Sequence, residues 1–186
     1  MRIVLASKSP RRRELLSAKY SDFEIKVADC DETLPLGTQT KSGVELLAVR
    51  KGAAVLDECA DALVISSDTL VELDGVALGK PVDDFDAYRM LRELSGRVNF
   101  VHTGVAVHYH GRLASGVATT AVKFKELSDS EIWAYVNSGE PRDKAGAYGI
   151  QSGAGHFVES IDGDFDTVVG LSMRLLDKLI EEVTNE

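Results

Sequence analysis

The sequence predicts an α/β fold built on a mixed sheet. Three observations carry this expectation. Strand-like and helix-like segments alternate through the first half of the chain. Two long apolar-rich runs meet at a two-residue turn in the middle. No strict βαβ repeat, long linker or low-complexity segment interrupts the pattern, so a doubly wound parallel sheet is not expected. The expected architecture is a single domain over residues 1–186, with two lobes around a central cleft.

The elements follow in order. Residues 2–6, RIVLA, read as a short buried strand. Ser9 and Pro10 mark a helix start, with Ser at the N-cap and Pro at the first helical position, and that helix runs to about Ala18. FEIKVAD, 23–29, alternates as a half-buried strand should, and a polar loop with Pro and Gly follows. Ser42 and Glu45 have the spacing of a capping box, which opens a long helix reaching about Cys59. ALVISSDT, 62–69, reads as an apolar strand that ends in polar residues.

Residues 71–78, VEL-DG-VAL, read as a hairpin, because Asp-Gly suits a tight primed turn. Residues 83–94 form an amphipathic helix that stops at Ser95-Gly96. Two long strands, 97–109 and 112–125, join at His110-Gly111. Ser128 and Glu131 cap a helix closed near Ser138-Gly139. Four glycines fall within 145–155, where Tyr148 and Ile150 argue for a packed loop rather than a loose one. FVESI is a strand, and a last helix runs from about Gly170 to Val183.

Composition narrows the function. With 44% hydrophobic and 27% charged residues, the chain is ordinary globular material. A net charge of −9 argues against a general nucleic-acid or membrane-surface binder. A polyanionic ligand must then be met by local basic residues or through a metal. Two cysteines make no disulfide framework and no metal-ligand spacing. The start of the chain is too short for a signal peptide, and no apolar run reaches membrane length. A soluble, cytoplasmic protein is expected.

Arg11, Arg12 and Arg13 occupy the first turn of the first helix, an end that is already electropositive. A solvated face is one reading. The other is an anion site, in which free N–H groups, the guanidinium fork, Ser7, Lys8 and Ser9 receive phosphate. Asp68 stands at the end of a buried strand, where α/β active sites gather. To activate water it needs a raised pKa, or a metal that lowers the pKa of the water, so it reads either as a general base or as a metal ligand. Both roles remain open at this stage. Asp29, Asp31 and Glu32 could hold Mg²⁺ together with substrate phosphates. Lys51 and Lys80 are single cations, and Lys80 directly follows the hairpin. In 143–155, DKAGAYGIQSGAG, the glycines allow close backbone approach, Lys144 adds charge, and Gln151 can read a base edge. His108 and His110 share a strand face without a third ligand and read as surface residues. Asp162, Asp164 and Asp166 lack the Gly of a calcium loop and read as a solvated turn.

With these pieces placed, the chain resembles the Maf family of nucleoside triphosphate pyrophosphatases. The matching motifs run in order: LASKSPRRRELL, DETLP, SSDTLVELDGVALGKP, MLRELSGR, HTGVAV, EIWAYVNSGEPRDKAGAYGIQ and IDGDFDTVVGL. They cover residues 3–171 or so. The resemblance implies an elongated mixed sheet flanked by helices, akin to inosine triphosphatases, and commonly a homodimer. It implies hydrolysis of dTTP and UTP, with CTP and modified pyrimidine nucleotides as relatives, to the monophosphate and pyrophosphate, with Mg²⁺ or Mn²⁺ as cofactor. Carried over by position, Asp68 is the proton acceptor. Arg11, Thr69 and Gln151 bear on base preference. Ser7, Ser9, Arg12, Lys51, Lys80 and Lys144 surround phosphates, and Glu32 with Asp68 holds the metal. Two positions depart from the family pattern. Gly52 stands where Ala is more usual, which reads as harmless. Ser152 stands where Gly usually follows G-I-Q, and because Ser tolerates positive φ poorly a slight shift of the loop is expected.

Two rival readings come from other classes. Asp29-Cys30-Asp31-Glu32-Thr33 fits the D-x-D-x-T start of a haloacid-dehalogenase-type phosphatase. The chain could also be a nucleotide-binding regulator of cell division and septum formation, which would bind triphosphate without consuming it.

Overall fold

Runs of Val, Ile and Leu bury most where they can join a hydrogen-bonded ladder, and they make the strands here. The structure, a computed structural model, describes residues 1–27 and 29–185. Its elements are β1 (Ile3–Leu5), α1 (Pro10–Ser17), β2 (Glu24–Ile25), α2 (Thr40–Ala53), β3 (Leu63–Leu73), β4 (Val76–Leu78) and α3 (Asp84–Leu94). There follow β5 (Val98–Tyr109), β6 (Arg112–Phe124), α4 (Asp129–Val136), β7 (Val158–Asp162), α5 (Phe165–Val169) and α6 (Met173–Thr184). The seven strands form one sheet in the order β2-β1-β3-β5-β6-β7, with β4 paired to β3. β1 runs parallel to β2 and β3, whereas β4 is antiparallel to β3 and β7 to β6. This is the mixed sheet that the sequence predicts.

The chain divides into two compact units, each with its own core. The first comprises Met1–Asp68, Thr103–Ala118 and Gly170–Glu186. Leu5, Ile65, Val105, Leu171 and Leu176 meet in its core, and Val4, Val64 and Cys59 form a smaller cluster. The second comprises Thr69–His102 and Thr119–Val169. Its core joins Val71, Leu91, Val122, Phe124, Ile132 and Phe157. Aromatic edges are met by aromatic faces there: Phe124 with Tyr148 at 4.9 Å and Tyr135 with Phe157 at 5.4 Å between centroids.

Local signals hold where local chemistry decides. The Ser9 hydroxyl accepts from the Arg12 N–H at the start of α1, and Asp83 accepts from Asp86 at the start of α3. Ser128 and Glu131 form the reciprocal capping box at α4. Asp74 (φ 51°) and Gly75 (φ 79°) turn the β3–β4 hairpin, and His110 (φ 46°) with Gly111 (φ 76°) turns β5 into β6.

Several expectations are corrected. β3 does not end at the polar residues 66–69 but continues to Leu73 as one strand of eleven residues. Ser66 donates to the Ala48 carbonyl at 2.7 Å and Ser67 to the Gly170 carbonyl at 2.8 Å. With those hydroxyls satisfied, polar residues lie buried without ending the ladder. α2 starts at Thr40, not at Ser42, and stops at Ala53, with a separate 3₁₀ turn at Leu56–Glu58. Its buried face, Thr40, Gly43, Val44, Leu47, Ala48 and Gly52, begins two residues before the supposed box. Glu45 accepts instead from the Ser115 hydroxyl at 2.6 Å. α6 starts at Met173, capped by Ser172, because Gly170 at φ 126° is not helical. The short helix α5 has no expected counterpart. β2 is only two residues long, and residue 28, which the alternation places in that strand, lies outside the described residues.

Candidate active site

The first unit gathers Ser7, Ser9, Arg12, Glu32, Lys51 and Asp68. Strand β1 delivers Ser7 to the start of α1. There the Ser7 hydroxyl oxygen accepts from the Ser9 N–H at 3.2 Å and from Arg12 Nη1 at 3.3 Å. Two accepted bonds occupy both lone pairs, so the Ser7 O–H is left to serve as a donor. Arg12 does not extend into water: its Nε donates to the Gly170 carbonyl at 2.8 Å. The Ser67 hydroxyl grips the same carbonyl. Burial pulls the Arg12 guanidinium below its ordinary value, Asp68 opposes that, and Arg11 adds to it. Arg13, which had no expected role, is exposed.

Asp68 lies midway along β3, not at a strand end, and is 8% exposed. Its Oδ1 meets the Lys51 ammonium from the last turn of α2. The same ammonium lies 3.3 Å from Glu32 Oε1. Helix α2 thus delivers one cation between two carboxylates, one on a strand and one on a loop. Arg50, next to Lys51, fixes that loop by donating to the Asp31 and Thr33 carbonyls at 3.0 and 2.8 Å. The Asp31 carboxylate accepts from the Thr33 N–H at 2.8 Å, and this bond holds its pKa below the usual carboxylate range. Asp31, the second acid of the D-x-D-x-T pattern, is therefore spent on a local turn. Cys30 lies in the same field; burial pushes its thiol up, against Lys51 and with Glu32 and Asp68.

Two carboxylates converging on one ammonium define a place where positive charge is held. Mg²⁺ and ions like it take one or two carboxylates and fill the remaining positions with phosphate oxygens and water. Glu32 and Asp68 fit that demand. Among the described residues, no cluster of three or more His, Cys, Asp or Glu forms a cage able to hold a metal by itself.

The second unit holds Thr69, Lys80, Lys144 and Gln151. Thr69 is half-buried on β3, and Lys80 is exposed just after β4. The Gly79 carbonyl accepts from the Gly146 N–H at 3.0 Å, which brings the Lys80 turn against the segment that starts at Lys144. Gly146 adopts φ 67°, and a Cβ there would sit 3.0 Å from Val71. Lys144 is bonded within its own segment, to the Glu140 carbonyl at 2.6 Å and Asp143 Oδ1 at 2.8 Å. Gln151 is exposed. The expected strain at Ser152 does not arise: its φ is −125°, ordinary extended backbone. Glycine's freedom is not needed at that position.

Other contacts were not legible beforehand. Gly170 anchors Arg12 through its carbonyl; its motif, DTVVG, stood in the sequence without a role. Arg50 orders the Glu32 loop, and Asn99 receives the Tyr148 hydroxyl at 2.9 Å. His108, expected at the surface, is buried. It lies against Gly52 of α2, where a side chain would leave it no place.

Over residues 2–183 the chain matches the family described as Maf-like protein. A dTTP/UTP pyrophosphatase of Thermococcus gammatolerans is 49% identical over 179 residues, covering 96% of this chain and 95% of the relative. One from Shewanella oneidensis is 47% identical over 190 residues and covers 98% of both. One from Bacillus velezensis is 44% identical over 181 residues, covering 97% of this chain and 96% of the relative. Among solved structures, the Staphylococcus aureus Ham1 protein is similar with a TM-score of 0.56 at 15% identity, covering 99% of this chain and 100% of that one. That last likeness is one of fold.

Proposed function

The chain belongs to the Maf family, and from that premise we propose that it hydrolyses dTTP and UTP to the nucleoside monophosphate and pyrophosphate. The observation that carries the reading at the level of chemistry is the Asp68–Lys51–Glu32 constellation beside the capped start of α1. It supplies a buried acid, a cation for phosphate and a pair of carboxylates for a divalent ion, all on one unit.

The triphosphate binds at the α1 N-terminus, where the helix dipole favours an anion. The Ser7 and Ser9 hydroxyls donate to phosphate oxygens, and Arg12, held by Gly170 and Ser7, presents a fixed positive charge. Lys51 and Lys80 neutralise further phosphate charge. Glu32 and Asp68, together with phosphate oxygens, would hold Mg²⁺ or Mn²⁺, which would supply charge neutralisation. Asp68 takes the proton of the water that attacks the α-phosphorus. The α–β bridging oxygen leaves with pyrophosphate, and the hydroxyl of that water stays on the monophosphate. Lys51 positions the Asp68 carboxylate before the attack. Positioning and electrostatic stabilisation carry most of such a reaction. Arg11, Thr69 and Gln151 select the base, and Lys144 braces the segment that carries Gln151.

A panel of nucleoside triphosphates with Mg²⁺ and with Mn²⁺ tests the activity. Pyrophosphate and monophosphate are expected in equal amounts, fastest from dTTP and UTP. Orthophosphate as the product, or binding without turnover, would overturn it. Asp68→Asn is expected to keep the fold and lower turnover roughly 10²–10⁴-fold, the range of a general base. Undiminished pyrophosphate release by that variant removes Asp68 from the mechanism.

A further inference from the structure

Glu140 precedes the glycine-rich segment, and no role attaches to it from the motifs. Its backbone is set by the α4 C-terminus: Gly139 turns at φ 77°, and the Glu140 N–H donates to the Ser138 hydroxyl at 3.2 Å. From there its side chain reaches forward thirteen residues. Glu140 Oε2 accepts from the Gly153 N–H at 3.1 Å. The Ser152 hydroxyl donates to the Gly149 carbonyl at 3.2 Å and lies beside the same carboxylate. Ser152 foremost, and the Gly153 N–H, hold the Glu140 pKa below the usual carboxylate range against burial. Its backbone carbonyl meanwhile accepts from Lys144 Nζ.

On the other side of Gln151, the Gly149 N–H donates to the Tyr135 hydroxyl at 3.2 Å. Tyr135 is core, edge-on to Phe157, and burial pushes its pKa up to about 12, so the phenol keeps its proton. Gly153 has no spare room: a Cβ there would lie 3.2 Å from the Tyr135 ring and 3.3 Å from Glu140 Oε2. The backbone is thus pinned at 149 and again at 152–153. Only Ile150 and Gln151 stand between the two ties, and Gln151 itself is exposed. An exposed amide that must meet a base edge within hydrogen-bond tolerance depends on the backbone beneath it.

We infer that Glu140 is a positioning residue for substrate selection, acting through Ser152 and Gly153 to fix Gln151. The inference rests on the proposed role of Gln151 in base choice. Its measure is the ratio of kcat/KM for UTP to that for CTP, two substrates that differ only in the base. Glu140→Ala is expected to lower that ratio about fivefold, the factor carried by one hydrogen bond of ordinary strength, with a smaller change in kcat for UTP. Glu140→Gln keeps an acceptor for the Gly153 N–H and is expected to restore most of the ratio. In a Gln151→Ala background, Glu140→Ala is expected to do nothing further to the ratio, because it acts through the residue already removed. An equal drop in that background shows a route that bypasses Gln151 and overturns the inference. So does an unchanged ratio in Glu140→Ala where Gln151→Ala does change it. If Gln151→Ala leaves the ratio unchanged, the base-choice reading and the inference fall together. Should Glu140→Ala fail to fold, Ser152→Ala carries the same cycle, with a smaller shift expected in the same direction and absorbed in the same way.

Discussion

Gly52 has no room for a methyl group. A Cβ there would lie 2.6 Å from Ser66 Oγ and 2.8 to 2.9 Å from the His108 ring. Ser66 is tied to the Ala48 carbonyl and cannot swing aside without losing that bond. The exchange of Ala for Gly next to the site lysine, which reads as harmless in the sequence, is therefore matched by a histidine packed into the space. That imidazole is 8% exposed, and burial lowers its pKa from the ordinary 6.5, with the Val49 carbonyl pulling the other way. The sign follows directly. The folded state holds His108 neutral more strongly than the unfolded chain does, so its contribution is complete above about pH 6.5. It is lost as pH falls from there through the lower folded value. Thermal denaturation at about pH 7.5 and about pH 5.5, on either side of the ordinary histidine value, checks this. The melting temperature is expected to drop at the lower pH, and His108→Gln is expected to drop less. An identical drop in both proteins would assign the acid sensitivity elsewhere.

Between α4 and β7 the chain makes no long helix or strand, yet the segment is an ordered element of short 3₁₀ turns. Tyr148 is its inward anchor. The hydroxyl donates to Asn99 Oδ1, and Asn99 in turn donates to the Val122 carbonyl at 3.1 Å. Asn99 is fully buried. Tyr148→Phe keeps the aromatic contact with Phe124 but leaves the Asn99 oxygen without that donor. A loss of about 1–3 kcal/mol of stability in urea unfolding is expected; a variant as stable as the parent would show the bond to be worth nothing. This element also marks how far the sequence could be read. Turns and caps were legible because a few adjacent residues decide them: Asp74-Gly75, His110-Gly111, and Ser128 with Glu131. A packed loop at 145–155 was legible from Tyr148 and Ile150. The run of β3 through Ser66, Ser67 and Asp68 was not, since it depends on carbonyls at Ala48 and Gly170, remote in sequence. Nor was the start of α2, set by which face is buried. The candidate site shows the same division. Ser7, Arg12, Glu32, Lys51 and Asp68 have side chains whose chemistry suits the proposed reaction, and they could be picked out from motifs. Gly170, Arg50 and Glu140 act on or through backbone groups, so nothing in their residue type announced them.

Across the whole molecule, the proposed activity requires a protein of net charge −9 to bind a polyanion. At physiological salt the Debye length is about 8 Å, so distant surface carboxylates are largely screened and the charges beside the ligand decide. In the proposed site, Arg11, Arg12 and Lys51 are the charges that the first unit offers. The arginines at the start of α1 add like charge to the positive end of a dipole; Asp68 and Glu32 act against it at Arg12, and burial still leaves that guanidinium below its ordinary value. Bound triphosphate removes that conflict, so binding must raise stability. With ligand at a hundred times its Kd the gain is about 2.7 kcal/mol. For a chain of this size that corresponds to a rise of roughly 5–10 °C in Tm. The measurement uses Asp68→Asn, in which turnover is suppressed, with UTP and Mg²⁺. A rise in that range is expected, shrinking as salt increases and shrinking further when Arg12→Ala is added, because the guanidinium held by Gly170 and Ser7 is then gone. Inorganic sulfate at equal ionic strength controls for general anion effects and is expected to give a smaller rise. If UTP leaves the melting temperature of both the parent and Asp68→Asn unmoved, the start of α1 does not hold the triphosphate, and the three arginines need another explanation.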